Sequence, residues 1–289
     1  MSTAARTIEL DTIPGLPGML VKAATSRKPA QREPEFPPLV IAARGIRADA
    51  AKLAKFRTVC GFDAGALLPL TYPHIMAFAL HMQLMLEPEF PFAPMGAVHV
   101  RNRIAQRRPL GVDEPLDFTV RLGGAEQVAK GYEVSIITEV ASAGEMVWDD
   151  LSVMLIRKGG TGEKKAREAS PAPPDYSESL QWELPADMGR RYAAASGDYN
   201  PIHLYPFTAK LMGFKRQIMH GMWSKSRCVA ELLPADHPGA AAVDVAFKLP
   251  ILLPATVTLL HNSRATGSLF ELRDGPGEKP HLAGTLTLD

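Results

Sequence analysis

The sequence predicts an α+β protein built from two like units in tandem, and three observations carry that expectation. An apolar helical pattern followed by a run of short alternating strands occurs twice along the chain. Between the two occurrences, residues 158–174 (Lys158-Gly159-Gly160 through Pro173-Pro174) are charged and rich in Gly and Pro, with no apolar periodicity, which reads as a linker. Local matches also recur at nearly constant spacing. Phe56 before Cys60-Gly61 matches Tyr192 before Ser196-Gly197 at an offset of 136 residues. Ile75-Met76 matches Ile218-Met219 at 143, and Val98-His99-Val100 matches Val243-Asp244-Val245 at 145.

The elements follow in order. In residues 1–157 the apolar run Pro38–Ala43 reads as a strand and Ala48–Val59 as a helix. Ile75–Leu86 reads as a second, strongly apolar helix. Val98–Ile104, Leu116–Leu122, Tyr132–Val140 and Val147–Ile156 are strand candidates, from their alternation and their β-branched and aromatic content. In residues 175–289 Pro185–Ser196 is a short helix and Met219–Leu233 a longer one, apolar at Met219, Met222, Trp223, Cys228, Val229 and Leu232. The strands Ala241–Leu249, Thr256–His261, Leu269–Arg273 and His281–Leu288 complete the second unit. The growth of the offset from 136 to 143 makes the first unit seven residues shorter between its helices.

Composition narrows the function classes. A formal net charge of +1 with 22% charged residues gives no field directed at nucleic acid or an acidic membrane. Two distant cysteines, Cys60 and Cys228, predict no disulfide framework and suit a reducing cytoplasm. No apolar run approaches eighteen residues, and the N-terminal stretch, with Glu9, Asp11 and two prolines, does not read as a signal peptide. The expectation is a soluble, cytoplasmic, globular protein. No Cys/His group has zinc spacing and no Gly-x-Gly-x-x-Gly follows a strand, so no metal, nucleotide or flavin cofactor is expected.

Chemistry concentrates in Tyr192-Ala-Ala-Ala-Ser196-Gly197-Asp198-Tyr199-Asn200-Pro201-Ile202-His203 and in Ile218-Met219-His220-Gly221. Asp198 and His203 place a carboxylate and an imidazole five residues apart on a Gly/Pro turn, where they can act as an acid/base pair. Gly221 opens an apolar helix, so its peptide N–H can face a developing oxyanion. Turn formation alone also explains Gly-Asp-x-Asn-Pro. Agreement of the whole spaced set favours chemistry.

That set resembles the MaoC-like hydratases, the (R)-specific enoyl-CoA hydratase 2 family. Ala209, Gly213-Phe214 and Ile218-Met219-His220-Gly221 fall in register behind Asp198, Asn200 and His203, over about thirty residues. Gln217 departs from the Pro that many members carry before the Ile, a change in loop stiffness more than in chemistry. The resemblance implies two hot-dog units, each a central helix wrapped by an antiparallel sheet, joined as an internal pseudo-dimer. It implies reversible hydration of 2-enoyl thioesters of coenzyme A or acyl carrier protein, within fatty-acid metabolism. Asp198, His203 and Gly221 would be catalytic. Asn200, Ser196, His220, Tyr192 and Phe214 would support loop or substrate, with Tyr192, Phe207 and Phe214 chiefly packing. The first unit has Phe62 where the second has Asp198, Ala77-Phe78 where it has His220-Gly221, and no counterpart of His203, so it reads as a degenerate, pocket-shaping partner. Asp63 and His74 do not reproduce the motif.

Lys210, Lys215, Arg216, Lys225 and Arg227 flank the motif and suit either the phosphates of a thioester carrier or a solvated helix face. The remaining alternatives are a hot-dog thioesterase and a non-catalytic acyl-binding subunit. A chain carrying its own pseudo-dimer would be a monomer or a homodimer.

Overall fold

The computed structural model describes residues 6–28, 34–36, 38–157, 174–234, 237 and 239–289. The expected linker, apart from Pro174, lies outside the described residues. The first unit runs β2 (Leu39–Ile46), α2 (Ala50–Cys60), α3 (Tyr72–Leu86), β3 (Val98–Gln106), β4 (Leu116–Val128), β5 (Gly131–Ser142) and β6 (Glu145–Ile156). Before it stand β1 (Arg6–Leu10) and α1 (Leu16–Thr25). The second repeats the order as β7 (Glu178–Leu184), α4 (Met188–Ser196), α6 (Gly221–Leu232), β8 (Ala241–Phe247), β9 (Ala255–Arg264), β10 (Gly267–Asp274) and β11 (Pro280–Leu288). A 3₁₀ turn (Pro201–His203) and the short α5 (Pro206–Leu211) are inserted between α4 and α6.

All strands form one eleven-stranded sheet in the order β1-β2-β4-β5-β6-β3-β8-β11-β10-β9-β7. Apart from β1, the order reads the same from either end once each strand is exchanged for its counterpart. The seam is β3 against β8, antiparallel, with Arg101 opposite Ala246 and Ile104 opposite Val243. The 145-residue offset makes Ala246 the counterpart of Arg101, so the pseudo-twofold axis passes between that pair. Joining the units here removes two strand edges that would otherwise lie open.

Alternation explains the two faces. Val134, Ile136 and Val140 of β5, and Val243 and Val245 of β8, turn inward onto the helices, while neighbouring residues face outward. α3 is buried along most of its length, including Ala77, Leu80 and Leu84. Both first helices end alike: Gly61 and Gly197 close α2 and α4 with φ of 79° and 80°, a left-handed cap that glycine adopts without strain. These matched caps explain why Cys60-Gly61 and Ser196-Gly197 align.

One sequence match fails. Ile75 and Met76 lie inside α3, whereas Ile218 bridges Leu252 and Met219 precedes α6. The first unit starts its helix at Tyr72, so its helix start, not Ala77-Phe78, stands where His220-Gly221 stands in the second. There Tyr72 N–H is spent on Pro69 O, and Pro73 has no N–H to offer. β1, α1, β7 and α5 were not expected. β1 and β7 are the outer strands of the sheet, where only one face and one neighbour select the residues, so their alternation is weak.

Candidate active site

The loop after α4 is a chain of side-chain-to-backbone turns. Ser196 Oγ donates to Tyr192 O and accepts from Asp198 N–H at 3.2 Å. Asp198 Oδ1 accepts Asn200 N–H at 3.1 Å, and Asn200 Oδ1 accepts Ile202 N–H, opening the 3₁₀ turn that presents His203. Polar side chains with local reach, with Pro201 fixing φ, therefore replace regular structure here. Asn200 Oδ1 serves this turn, and the residue also lines the cavity described below.

His203 Nδ1 lies 2.8 Å from Ile218 O. A carbonyl only accepts, so Nδ1 carries the proton and Nε2 holds a lone pair. By the same reasoning His220 Nε2 donates to Asp198 O at 2.9 Å, and its Nδ1 is buried without a partner. The two rings stack, centroids 3.6 Å apart. Asp198 Oδ2, the oxygen the turn does not use, lies 3.8 Å from His220 Nε2. Burial lowers the pKa of His203, opposed by the Asp198 carboxylate and the Ile218 carbonyl. Burial, then His203, holds His220 well below its ordinary value. Both imidazoles are therefore neutral at pH 7. Tyr192 packs on His220 at 4.8 Å, and burial pushes its hydroxyl pKa well up, so it stays protonated.

Gly221 is the first residue of α6, where an α-helix leaves N–H groups without intrahelical partners and its dipole is positive. A Cβ at this position would meet the Phe247 ring at 3.0 Å. Gln217 ties this loop to the α4 side of the site: its amide donates to Ala186 O at 3.0 Å, just ahead of α4. Sequence reasoning missed Gly189. A Cβ there would sit 2.2 Å from His203 O, so only glycine lets α4 pass this close to the turn. A glycine inside a helical pattern was the available signal.

These residues open onto a cavity of about 480 Å³. Tyr192, Ser196, Asp198, Asn200, His203, Phe214, His220 and Gly221 all line it, so the residues expected to be catalytic or supporting share one space, whereas Lys210, Lys215 and Arg216 are not on its lining. Its other wall comes from the first unit, through Ile75, Phe78, Met82 and Met85 of α3. Asp198, His203 and His220 also offer ligand atoms within 4.8 Å of one another, the spacing of a small-ion site. Hydrogen bonds to backbone carbonyls already occupy one nitrogen of each ring.

Three other expectations are corrected. Lys225 is fully buried, its ammonium donating to Asn102 O and Val243 O at 3.1 Å each and to Asn102 Oδ1, and burial pushes its pKa down to about 7. It therefore holds the β3/β8 seam and is neither a phosphate ligand nor a solvated residue. Arg227 is spent on the Trp182 ring and Glu231. Phe207 is 66% exposed rather than packed, because α5 is a short surface helix that buries only Ala209.

Along the chain, residues 166–275 match the family model of the MaoC-like domain. The chain is 34% identical over 275 residues to 3-hydroxyacyl-thioester dehydratase X of Mycobacterium tuberculosis, covering 94% of this chain and 97% of that protein. This chain belongs to the MaoC-like family. A crystal structure of HtdX from the same organism superposes with a TM-score of 0.75 at 32% identity, covering 86% of this chain and all of that one. The hot-dog architecture is therefore shared along nearly the whole chain, tandem units included. The (R)-specific enoyl-CoA hydratase of Aeromonas caviae is 38% identical over 71 residues, 23% of this chain and 52% of that protein. No helix of this MaoC-like chain, among the described residues, is long and apolar enough to cross a membrane, and both cysteines are free and buried.

Proposed function

We propose that this chain is a hydro-lyase that hydrates 2-enoyl thioesters to (3R)-hydroxyacyl thioesters, and dehydrates them in reverse, at one site in residues 175–289. The observation that carries this reading is the meeting of three groups in one cavity: the free oxygen of Asp198, the lone pair on His203 Nε2, and the α6 N-terminus at Gly221. Hydration needs a water deprotonated for attack at C3, a proton delivered to C2, and stabilisation of the charge that gathers on the thioester oxygen. Asp198 and His203 hold the water between them, and His203 Nε2 takes its proton. The pair returns a proton to C2 on the same face. Gly221 N–H donates to the thioester oxygen. Each acid/base role contributes roughly 10²–10⁴ in rate, and an oxyanion donor roughly 10²–10³.

His220 supports the site without touching substrate, since its Nε2 fixes the Asp198 backbone and its face fixes the His203 ring. Residues 1–157 act as a non-catalytic partner. Phe62 follows the α2 cap where Asp198 follows that of α4, Pro73 stands at the helix start, and α3 walls the cavity for the acyl tail. Lys130, Arg157 and Lys248 are exposed cations on the cavity lining, placed to meet the phosphates of a coenzyme A or acyl-carrier thioester. The free buried thiols suit a cytoplasmic location, and the internal pseudo-dimer suits a monomer or homodimer.

Incubation with crotonyl-CoA tests the reading. Loss of enoyl absorbance without thiol release, giving the (3R) product, is the expected result. Thiol release would make the chain a thioesterase, absence of any turnover an acyl-binding subunit, and a (3S) product would overturn the stereochemical assignment.

A further inference from the structure

The first unit carries a second polar cluster on the same cavity. His74 Nδ1 meets Asp150 Oδ2 at 2.5 Å, although the two are 76 residues apart in sequence. Asp150 Oδ1 accepts from Asn102 at 3.0 Å and from Ser152 at 2.8 Å, and Asn102 carries the chain of contacts to Lys225. His81 Nε2 meets Thr138 Oγ1 at 2.7 Å. His99 stacks on His74, centroids 6.0 Å apart, and packs against Phe247 at 5.0 Å. Its Nε2 is buried without a hydrogen-bond partner. His74, His81, His99 and Ser152 all line the cavity.

The surroundings are otherwise apolar: Phe78, Met82, Met85, Ile136 and Met154 line the same region. A purely aliphatic tail would be served by apolar side chains throughout, whereas His74, His81, His99 and Ser152 interrupt the apolar lining here. Phe247 touches both the Gly221 position and His99, which puts the cluster one aromatic ring beyond the oxyanion donor, toward α3. We infer that His99, backed by His74 and His81, forms a hydrogen-bonding subsite for a hydroxyl group on the acyl chain beyond the reacting carbons. The preferred substrates are then enoyl or hydroxyacyl thioesters bearing one further hydroxyl.

A hydroxyl fits because it both donates and accepts, and so matches a neutral imidazole in either tautomer. Burial holds His81 and His99 at about 3, which keeps them neutral. The charged groups of the network already have partners of their own. The Asp150 carboxylate is held by His74, Asn102 and Ser152, and the Lys225 ammonium by Asn102 and the Val243 carbonyl.

This inference rests on the hydratase reading above, and one experiment separates the two. Hydration of 2-decenoyl-CoA is compared with that of analogues carrying one hydroxyl at successive positions beyond C5. The expected result is a kcat/KM for at least one analogue roughly tenfold or more above that of the plain chain, since a site built to bond a hydroxyl discriminates against its absence. In His99→Phe, which keeps a ring between Phe247 and His74, that ratio should fall to near one, and His99→Gln should restore part of it. The ratio is insensitive to overall losses of activity, and His99→Leu replaces His99→Phe should the latter fail to fold. No preference in the native protein, or a preference unchanged in His99→Phe, overturns the subsite while leaving the hydratase reading intact. Absence of turnover on every chain overturns both.

Discussion

His220 stacks on His203 with ring centroids 3.6 Å apart and planes inclined by 24°. Through the same ring, His220 also bonds the backbone carbonyl of Asp198. One side chain thus fixes the positions of both members of the proposed acid/base pair, and it comes from the start of a helix rather than from their own loop. Stacked buried imidazoles resist double protonation, because a charge on either would face the other in a site with little water.

Asp198→Asn and His203→Gln should each lower kcat for enoyl hydration by roughly 10²–10⁴. Circular dichroism should stay native, since both residues sit in a polar turn outside the apolar core. Either variant retaining more than about a tenth of native activity would leave that residue without an acid/base role.

Gly189→Ala should be harmful although Gly189 touches no substrate. Its Cβ would fall 2.2 Å from His203 O, so α4 or the turn must move. Overpacking of this kind costs roughly 1–3 kcal/mol, and a displacement of about 1 Å at a catalytic group can cost on the order of 10² in rate. Chemical denaturation and steady-state kinetics read the two effects, and native values for both would show that the contact yields freely.

At Gly221, Val should reduce turnover by pressing on Phe247, which an added Cβ would reach at 3.0 Å. Pairing Gly221→Val with Phe247→Ala should recover part of the loss, because the obstacle is a side chain. If the double variant is no better than the single one, crowding at Phe247 is not the cause.

The pH dependence follows from the lowered pKa values of His203 and His220, which start from 6.5. In the unfolded chain both gain a proton near 6.5, whereas in the fold both resist it. Their contribution to stability is present in full above 6.5 and is lost as pH falls toward the lowered values. The acid limb of kcat/KM should accordingly lie below 6.5, and a limb at or above 6.5 would mean that His203 is not held neutral.

A tight, non-turnover thioester analogue should titrate one site per 289-residue chain. Tyr72 N–H is bonded to Pro69 O and Pro73 lacks an N–H, so the first unit has no helix-start donor to match Gly221. Calorimetric stoichiometry checks this, and a value of two would assign a second site to residues 1–157.

Much of the architecture was legible because amphipathic periodicity and short residue matches are local. The four strands β3 to β6, their counterparts β8 to β11, and the matched pairs Cys60-Gly61 and Ser196-Gly197 all declare themselves within a few residues. The Asp198 turn was legible for the same reason, since its hydrogen bonds join residues two apart. The outer strands β1 and β7 and the start of α3 at Tyr72 were not, because neighbours distant in sequence select them.

The sequence by itself determined the repeat, the fold class and the residues that carry the motif. Only the tertiary structure decided which of those residues share a cavity and which distant groups join them. It brought His220 onto His203, set Gly189 against the His203 carbonyl, paired His74 with Asp150, and buried Lys225 in the seam between units. Such contacts depend on how sheet and helices close over one another across 14 to 123 residues of chain, and pairwise packing at that range leaves no period or spacing in the sequence to read.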